Sequence, residues 1–569
     1  MKRLISIFLA ISALFPGFFS GTAEDTKERQ CVVFSEMEYR RPDLEELNGD
    51  FDAVLDALDG FCTFRRLTKL LDSCYEDFAS YETMYALADI RSCQDQSDEF
   101  YGEEYMWCAD NYAPLQQRFD EVYYACAASR LARRLERWYF WDGFRKEYSS
   151  AEDSKYSDES VALMQQESAL ISEYRSAASQ PVIEVWGRSV PLEEYLAQAN
   201  EMEYLYALKL YYEKYNPILS DIYIRLVRVR RALAESMGYD SYEQMQYDFF
   251  FERDYSPEQA EEYFEAVRRC ILPIYEEIYG DESYTVPDYE PLSQGLLEEA
   301  LTSVAESMGG DAAEACDFMV KYELWDTELR PNKVGMSFQT YINDYDAPFL
   351  FLDPAGDIGD ILSLTHEFGH YVDSYVNFNA YETTDLSECY SQSMELLSLA
   401  YLGDALDGEQ LRQLSDIKAL DILNMYVQQS SFAEFEKRVY ALDDSELTAD
   451  RLNALSLELA EKYGYYDGFS RDYYAMSWID IPHFFEQPFY VVSYPVSNDI
   501  AMQVYELEQE ASGQGLAKLM EMLPRQSENM IESAAAAGLE SPFAPGRVEK
   551  AAETLRAMLY NEMEQEAAA

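Results

Sequence analysis

The chain has only three histidines in 569 residues, and two of them, His366 and His370, stand four positions apart around Glu367 in the stretch "LTHEFGHYVD", 364–373. On a helix, residues four apart differ by about 40° in direction and one turn in height, so both imidazoles reach one ion from the same side. Glu367 sits about 100° round from His366. From there its carboxylate can touch a water beside the ion without being a ligand. This is the HExxH arrangement: an ion lowers the pKa of a water, and the glutamate takes its proton during attack on a carbonyl.

Two protein ligands do not complete a catalytic zinc site, and a third is needed. Position 376 is Val376, which excludes the pattern with a third histidine six residues past His370. The remaining histidine, His483, is over a hundred residues away, so the third ligand is expected to be a carboxylate. Downstream, "ETTDLSECYSQSMELLSLAYL" (382–402) reads as a helix. It carries Glu388, Gln392 and Glu395 at i, i+4 and i+7 on one face, opposite Leu386, Tyr390, Leu397 and Tyr401. Such a stripe faces either a charged site or solvent.

The elements that position these groups are mostly helical. The segment 192–239 keeps apolar residues at three- and four-residue spacing over many turns, and 255–280 opens on a Ser-Pro-Glu start signal and ends at Gly280. Strand-like alternation is clearest in "VGMSFQTYINDYDAPFLFLDP", 334–354, a short hairpin just before the histidine pair. The fold expected is mainly α with a small β element. A chain of this length divides into several regions. The division expected is 1–23, 24–145 (a cysteine-rich helical region), 146–330 (a helical lobe) and 331–569 (the lobe with the HExxH helix). The polar, serine-rich run 146–160 marks one boundary and the loop 280–291 is a further break.

Composition narrows the partners. A formal net charge of −63 repels nucleic acid and anionic membrane surfaces. The N-terminus has a basic start at Lys2 and Arg3, an apolar run over 4–19 and small residues Gly21 and Ala23. It reads as a secretory signal peptide, so the chain is expected outside the cell or held at its envelope. Six of the nine cysteines (Cys31, Cys62, Cys74, Cys93, Cys108, Cys126) fall early in the chain, which suggests disulfides in a secreted protein. Cys270 with Cys316 is a further candidate bridge, and Cys389 reads as a buried thiol.

"DIGDILSLTHEFGHYVDSY" followed by "SECYSQSMELL" resembles the thimet oligopeptidase and oligoendopeptidase F family of zinc metallopeptidases. The resemblance covers about 200–560 and does not reach 24–145. It implies a largely helical, two-lobed body with one zinc ion deep in a channel, acting on internal bonds of short or unfolded peptides. It makes Glu388 the third ligand beside His366 and His370, Glu367 the base, and Glu395 a group that orients a ligand. "WIDIPHFFEQPFYVVSYPVS", 478–497, is similar to the family's downstream segment. It assigns His483 to the substrate or the developing oxyanion, with Tyr490 and Tyr494 as phenols for the tetrahedral intermediate. Asp373 stands where many members have a further histidine that is not a ligand. Zinc follows from the ligand types, and manganese or cobalt could replace it. Two other readings remain at this point: a zinc dipeptidyl carboxypeptidase of the same ligand class, and a non-catalytic peptide-binding protein. The intact Glu367 argues against the latter.

Overall fold

The computed structural model describes residues 31–141, 143–148, 157–280, 289–378, 382–466, 471–524 and 529–566. The signal-peptide stretch, most of the serine-rich run and most of the 280–291 loop lie outside the described residues. Helices dominate, as the periodicity predicts, and several of their starts are fixed by side chains. The long helix over 192–239 begins, after a short turn of helix at Leu192–Leu196, with a capping box between Asn200 and Glu203. Ser256 and Gln259 form another ahead of Pro257, at the Ser-Pro-Glu signal.

Three antiparallel helices open the described chain: α1 (Leu44–Asp59), α2 (Phe64–Gln94) and α3 (Glu99–Ala128). They share a core of Phe51, Phe78, Phe119 and Tyr123 with four cysteines. Next come α4 (Asp158–Ala178) and α5 (Glu201–Ser236), packed on each other, and then α6 (Pro257–Cys270). The second half is built on α7 (Asp360–Asn377), α8 (Thr384–Tyr401), α9 (Gly408–Tyr440) and α10 (Ser493–Glu510). One large apolar core runs through α5 to α10. Among the described residues no helix is long and apolar enough to cross a membrane.

Two small sheets interrupt the helices. The hairpin β1 (Val182–Val185) and β2 (Arg188–Pro191) turns through Trp186 and Gly187, both at positive φ. Its signal was the Trp-Gly pair after the β-branched run of β1, a two-residue turn with left-handed backbone that the helical reading of this region missed. The expected hairpin is present: β4 (Phe338–Ile342) pairs antiparallel with β5 (Ala347–Phe351), with Phe338 opposite Phe351. A two-residue strand, β3 (Trp325–Asp326), adds to β5 in parallel, leaving β4 at the sheet edge. Asp326 anchors this sheet to the N-terminal helices. Its carboxylate accepts from Gln94 Nε2 at 2.7 Å, Arg330 Nη1 at 2.9 Å and Lys333 Nζ at 2.8 Å.

The disulfides expected from the early cysteines are not formed; all nine cysteines are free thiols. Cys62, Cys74, Cys108 and Cys126 pack as small apolar side chains in the core of α1 to α3. Burial pushes the thiols of Cys74, Cys108 and Cys126 up to about 12. The Cys270–Cys316 bridge is absent as well: Cys270 lies beside Glu549 and Arg269, Cys316 beside Asp317 and Thr302. Cys389 is a buried thiol, as expected.

Candidate metal centre

Helix α7 presents the two histidines. Its N-terminus has no side-chain cap at Gly359. Instead Asp360, in the first turn, accepts the N–H groups of Ala355, Gly356 and Asp357 at 2.8, 2.7 and 3.0 Å, closing the loop that leads from the hairpin onto the helix. Helix α8 crosses α7 at very close range, and the glycine of HEFGH is the reason. A Cβ on Gly369 would lie 2.5 Å from Ser391 Cα and 2.8 Å from the Tyr390 carbonyl oxygen. Only a residue without a side chain lets the two backbones approach so closely.

That approach brings Glu388 to the histidines. The polar stripe of α8 faces them rather than solvent, and nearly every residue from Thr384 to Leu399 is buried. Ligand atoms of His366, His370 and Glu388 all lie within 4.8 Å of one another. His366 Nε2 is 3.6 Å from Glu388 Oε2, close to the ~3.4 Å edge of a tetrahedron with ~2.1 Å metal–ligand bonds. His370 Nε2 and Glu367 Oε2 are buried with no hydrogen-bond partner in the protein. Orphaned buried polar atoms are costly unless something fills the gap between them. Two imidazole nitrogens and a carboxylate suit zinc in both type and spacing, so the residues present fit the ion.

The candidate ligands are oriented by neighbours. His366 Nδ1 lies 2.7 Å from Glu395 Oε1, and the other oxygen of Glu395 accepts from Lys418 Nζ on α9. His370 Nδ1 lies 3.0 Å from Ser387 Oγ. With each Nδ1 so engaged, each Nε2 is left to face the site. Burial favours a neutral His366, but the bond to Glu395 and the charges of Glu395, Glu388 and Glu367 outweigh it and raise the ring to about 9. Burial and the nearby His366 hold His370 well below the usual imidazole range. Burial pushes Glu367 up to about 8. It also raises Glu388, against the opposing pull of His366 and Tyr490.

The geometry separates the two phenols. Tyr490 donates to Glu388 Oε1 at 2.6 Å, so it holds the third candidate ligand. Tyr494 Oη lies 3.2 Å from His483 Nε2. Burial and the carboxylates of Glu388 and Glu367 raise the Tyr494 phenol well above its ordinary value, which keeps it a donor. Tyr494 lines a cavity of about 210 Å³ together with His366, Gln392, Glu395 and residues 335–337, which lead into β4. This cavity continues past Tyr289, Asp421, Asn424 and Gln428 into a wider arm of about 730 Å³ walled by aromatic side chains. Asp373, buried, accepts from Asn377 Nδ2 at 2.8 Å. Sequence reasoning missed Lys418 and Ser387. Lys418 had a signal: it replaces an apolar residue in the stripe Leu414–Lys418–Ile422 of α9.

Comparison with known proteins extends the resemblance toward the N-terminus. A profile of the peptidase M3 N-terminal domain matches residues 34–146, and one of peptidase family M3 matches 308–544, which contains both α7 and α8. The chromosomal oligoendopeptidase F of Lactococcus lactis subsp. cremoris is 30% identical over 167 residues, 28% of this chain and 28% of that one. Oligopeptidase PepF of Bacillus subtilis is 30% identical over 161 residues, 26% of this chain and 23% of that one. The chain thus matches less than a third of the length of these curated relatives. Solved structures share the fold over nearly the whole chain. PZ peptidase A, solved with an inhibitor, superposes with a TM-score of 0.81 at 22% identity, covering 93% of this chain and 99% of that one. A protein assigned as oligoendopeptidase F from Bacillus anthracis superposes at 0.77 and 24% identity, covering 93% and 98%. With the two family profiles together spanning more than half of its residues, this chain belongs to peptidase family M3.

Proposed function

We propose that the protein is a secreted, zinc-dependent oligoendopeptidase that hydrolyses internal bonds of short or unfolded peptides. The observation that carries this reading is the convergence of His366, His370 and Glu388 on one point beside the unpartnered Glu367 Oε2, at the wall of a cleft. Zinc held by these three residues would supply a Lewis acid that lowers the pKa of water toward neutrality. Glu367 takes the proton from the attacking water at Oε2 and delivers it to the leaving amine nitrogen. The Tyr494 hydroxyl, beside His483, is placed to donate to the carbonyl oxygen as charge develops there. Tyr490, Ser391, Ser387, Glu395 and Lys418 hold the ligands in place.

The cleft supports a preference for extended chains. Its wall includes residues 335–337, which lead into the edge strand β4, and pairing of an extended substrate backbone along this segment belongs to the reading. Secretion rests on the basic and apolar N-terminal stretch alone. The test of activity is Glu367→Gln: turnover of a quenched fluorescent peptide should fall at least ~1,000-fold while bound zinc is retained. Unchanged turnover would refute the mechanism. Product mapping on an end-blocked peptide should give internal cuts; release of C-terminal dipeptides only would reassign the enzyme.

A further inference from the structure

The segment carrying His483, Tyr490 and Tyr494 is irregular, and buried charges impose its shape. Phe489 sits at φ 65°, in the left-handed region that non-glycine residues seldom adopt. Its N–H donates to both oxygens of Glu436, at 2.9 and 3.0 Å. Its carbonyl oxygen accepts from Arg253 Nη2 at 2.9 Å, and the same nitrogen donates to Ser493 Oγ at 2.9 Å. One guanidinium therefore grips the residue before Tyr490 and the residue before Tyr494.

The other edge of Arg253 reaches the metal-ligand helix. Arg253 Nε lies 3.4 Å from Asp385 Oδ2, with both side chains buried. Asp385 is three residues before Glu388, on the same face of α8. The guanidinium is fixed in place by the rings of Tyr247 and Phe251, whose centroids are 4.6 and 4.3 Å away. The chain delivers it there through a widened π-helical turn at Gln246–Phe250 and a positive φ at Glu252. Neither Arg253 nor Asp385 lines the cleft.

We propose that Arg253 is a positioning residue for the third metal ligand. It locks the tyrosine segment to the N-terminal turn of α8, and so sets the span that the 2.6 Å hydrogen bond from Tyr490 to Glu388 must cross. The proposal rests on the reading of Glu388 as a ligand. A lysine at 253 would keep the charge opposite Asp385 but lose the fork that reaches both sides at once.

The test is a double-mutant cycle read as zinc affinity, by competition with a chromophoric chelator, on the full chain and on Arg253→Lys, Tyr490→Phe and the double variant. Each single change is expected to weaken zinc binding about 10-fold, and the double variant no further than the weaker single, because both act through one hydrogen bond. A merely structural arginine would give independent effects that multiply. Wild-type affinity in Arg253→Lys, or multiplicative losses, overturns the proposal. Where Arg253→Lys fails to fold cooperatively, Ser493→Ala enters the same cycle with the same non-additivity expected and the same overturning result. A wild type that binds zinc but cleaves no peptide refutes the proposed activity and leaves the cycle to decide Arg253. A wild type that binds no zinc overturns both.

Discussion

At the scale of single residues, two of the three proposed ligands were legible in spacing alone, because four residues on a helix are one turn and the histidines are so few. Periodicity left Glu388, Gln392 and Glu395 open as partners; the family resemblance selected Glu388, and the crossing at Gly369 shows why that residue comes within reach. Arg253 and Ser387 carried no such signal, since their roles come from contacts between segments far apart in the chain. The separation of the phenols can be measured. Tyr494→Phe should lower kcat about 100-fold with KM and bound zinc little changed, as for loss of one donor to a developing charge. Tyr490→Phe should instead weaken zinc binding first, because its partner is Glu388. Equal zinc affinity in both variants would contradict the assignment.

At the scale of elements, the long helices and the 334–354 hairpin follow from apolar periodicity, and the structure bears them out. The β1–β2 hairpin escaped because each strand has only four residues, too short to show alternation clearly. The closeness of α7 and α8 makes a direct prediction. Gly369→Ala forces the helices apart and should cost about 1–3 kcal/mol of stability, together with weaker zinc binding, in chelator-competition and denaturation measurements. An alanine variant of wild-type stability would mean that the crossing is looser than described. The sheet anchor gives a pH dependence. Burial raises the Asp326 carboxyl, but hydrogen bonds from Arg330, Lys333 and Gln94 outweigh it and bring the pKa from 3.8 to about 2. A depressed carboxyl stabilises the folded state above its unfolded pKa, and that contribution is lost as pH falls through the folded value. Asp326→Asn should therefore cost about 2 kcal/mol at neutral pH, and roughly half of that at pH 3, in paired denaturant titrations. A difference independent of pH would show that the carboxylate charge is not what holds the sheet.

At the scale of the whole molecule, composition argued against nucleic acid as a partner but misled on cysteine. An early cluster in a chain read as secreted suggested disulfides, whereas the helices of the N-terminal core bury the thiols as apolar filling. Denatured protein without reductant should accordingly titrate nine thiols; two fewer would reveal a bridge. The two-lobed helical body and its cleft were implied by the family resemblance, while the aromatic arm of the cleft was not foreseen, because it is assembled from side chains on several separate segments. All of this architecture converges on one proposed cation-binding point between α7 and α8. The most direct test is the zinc content per chain of wild type and Glu388→Ala after dialysis against the same weak chelator. One zinc per wild-type chain and almost none in the variant is the predicted result; equal zinc in both would contradict the account.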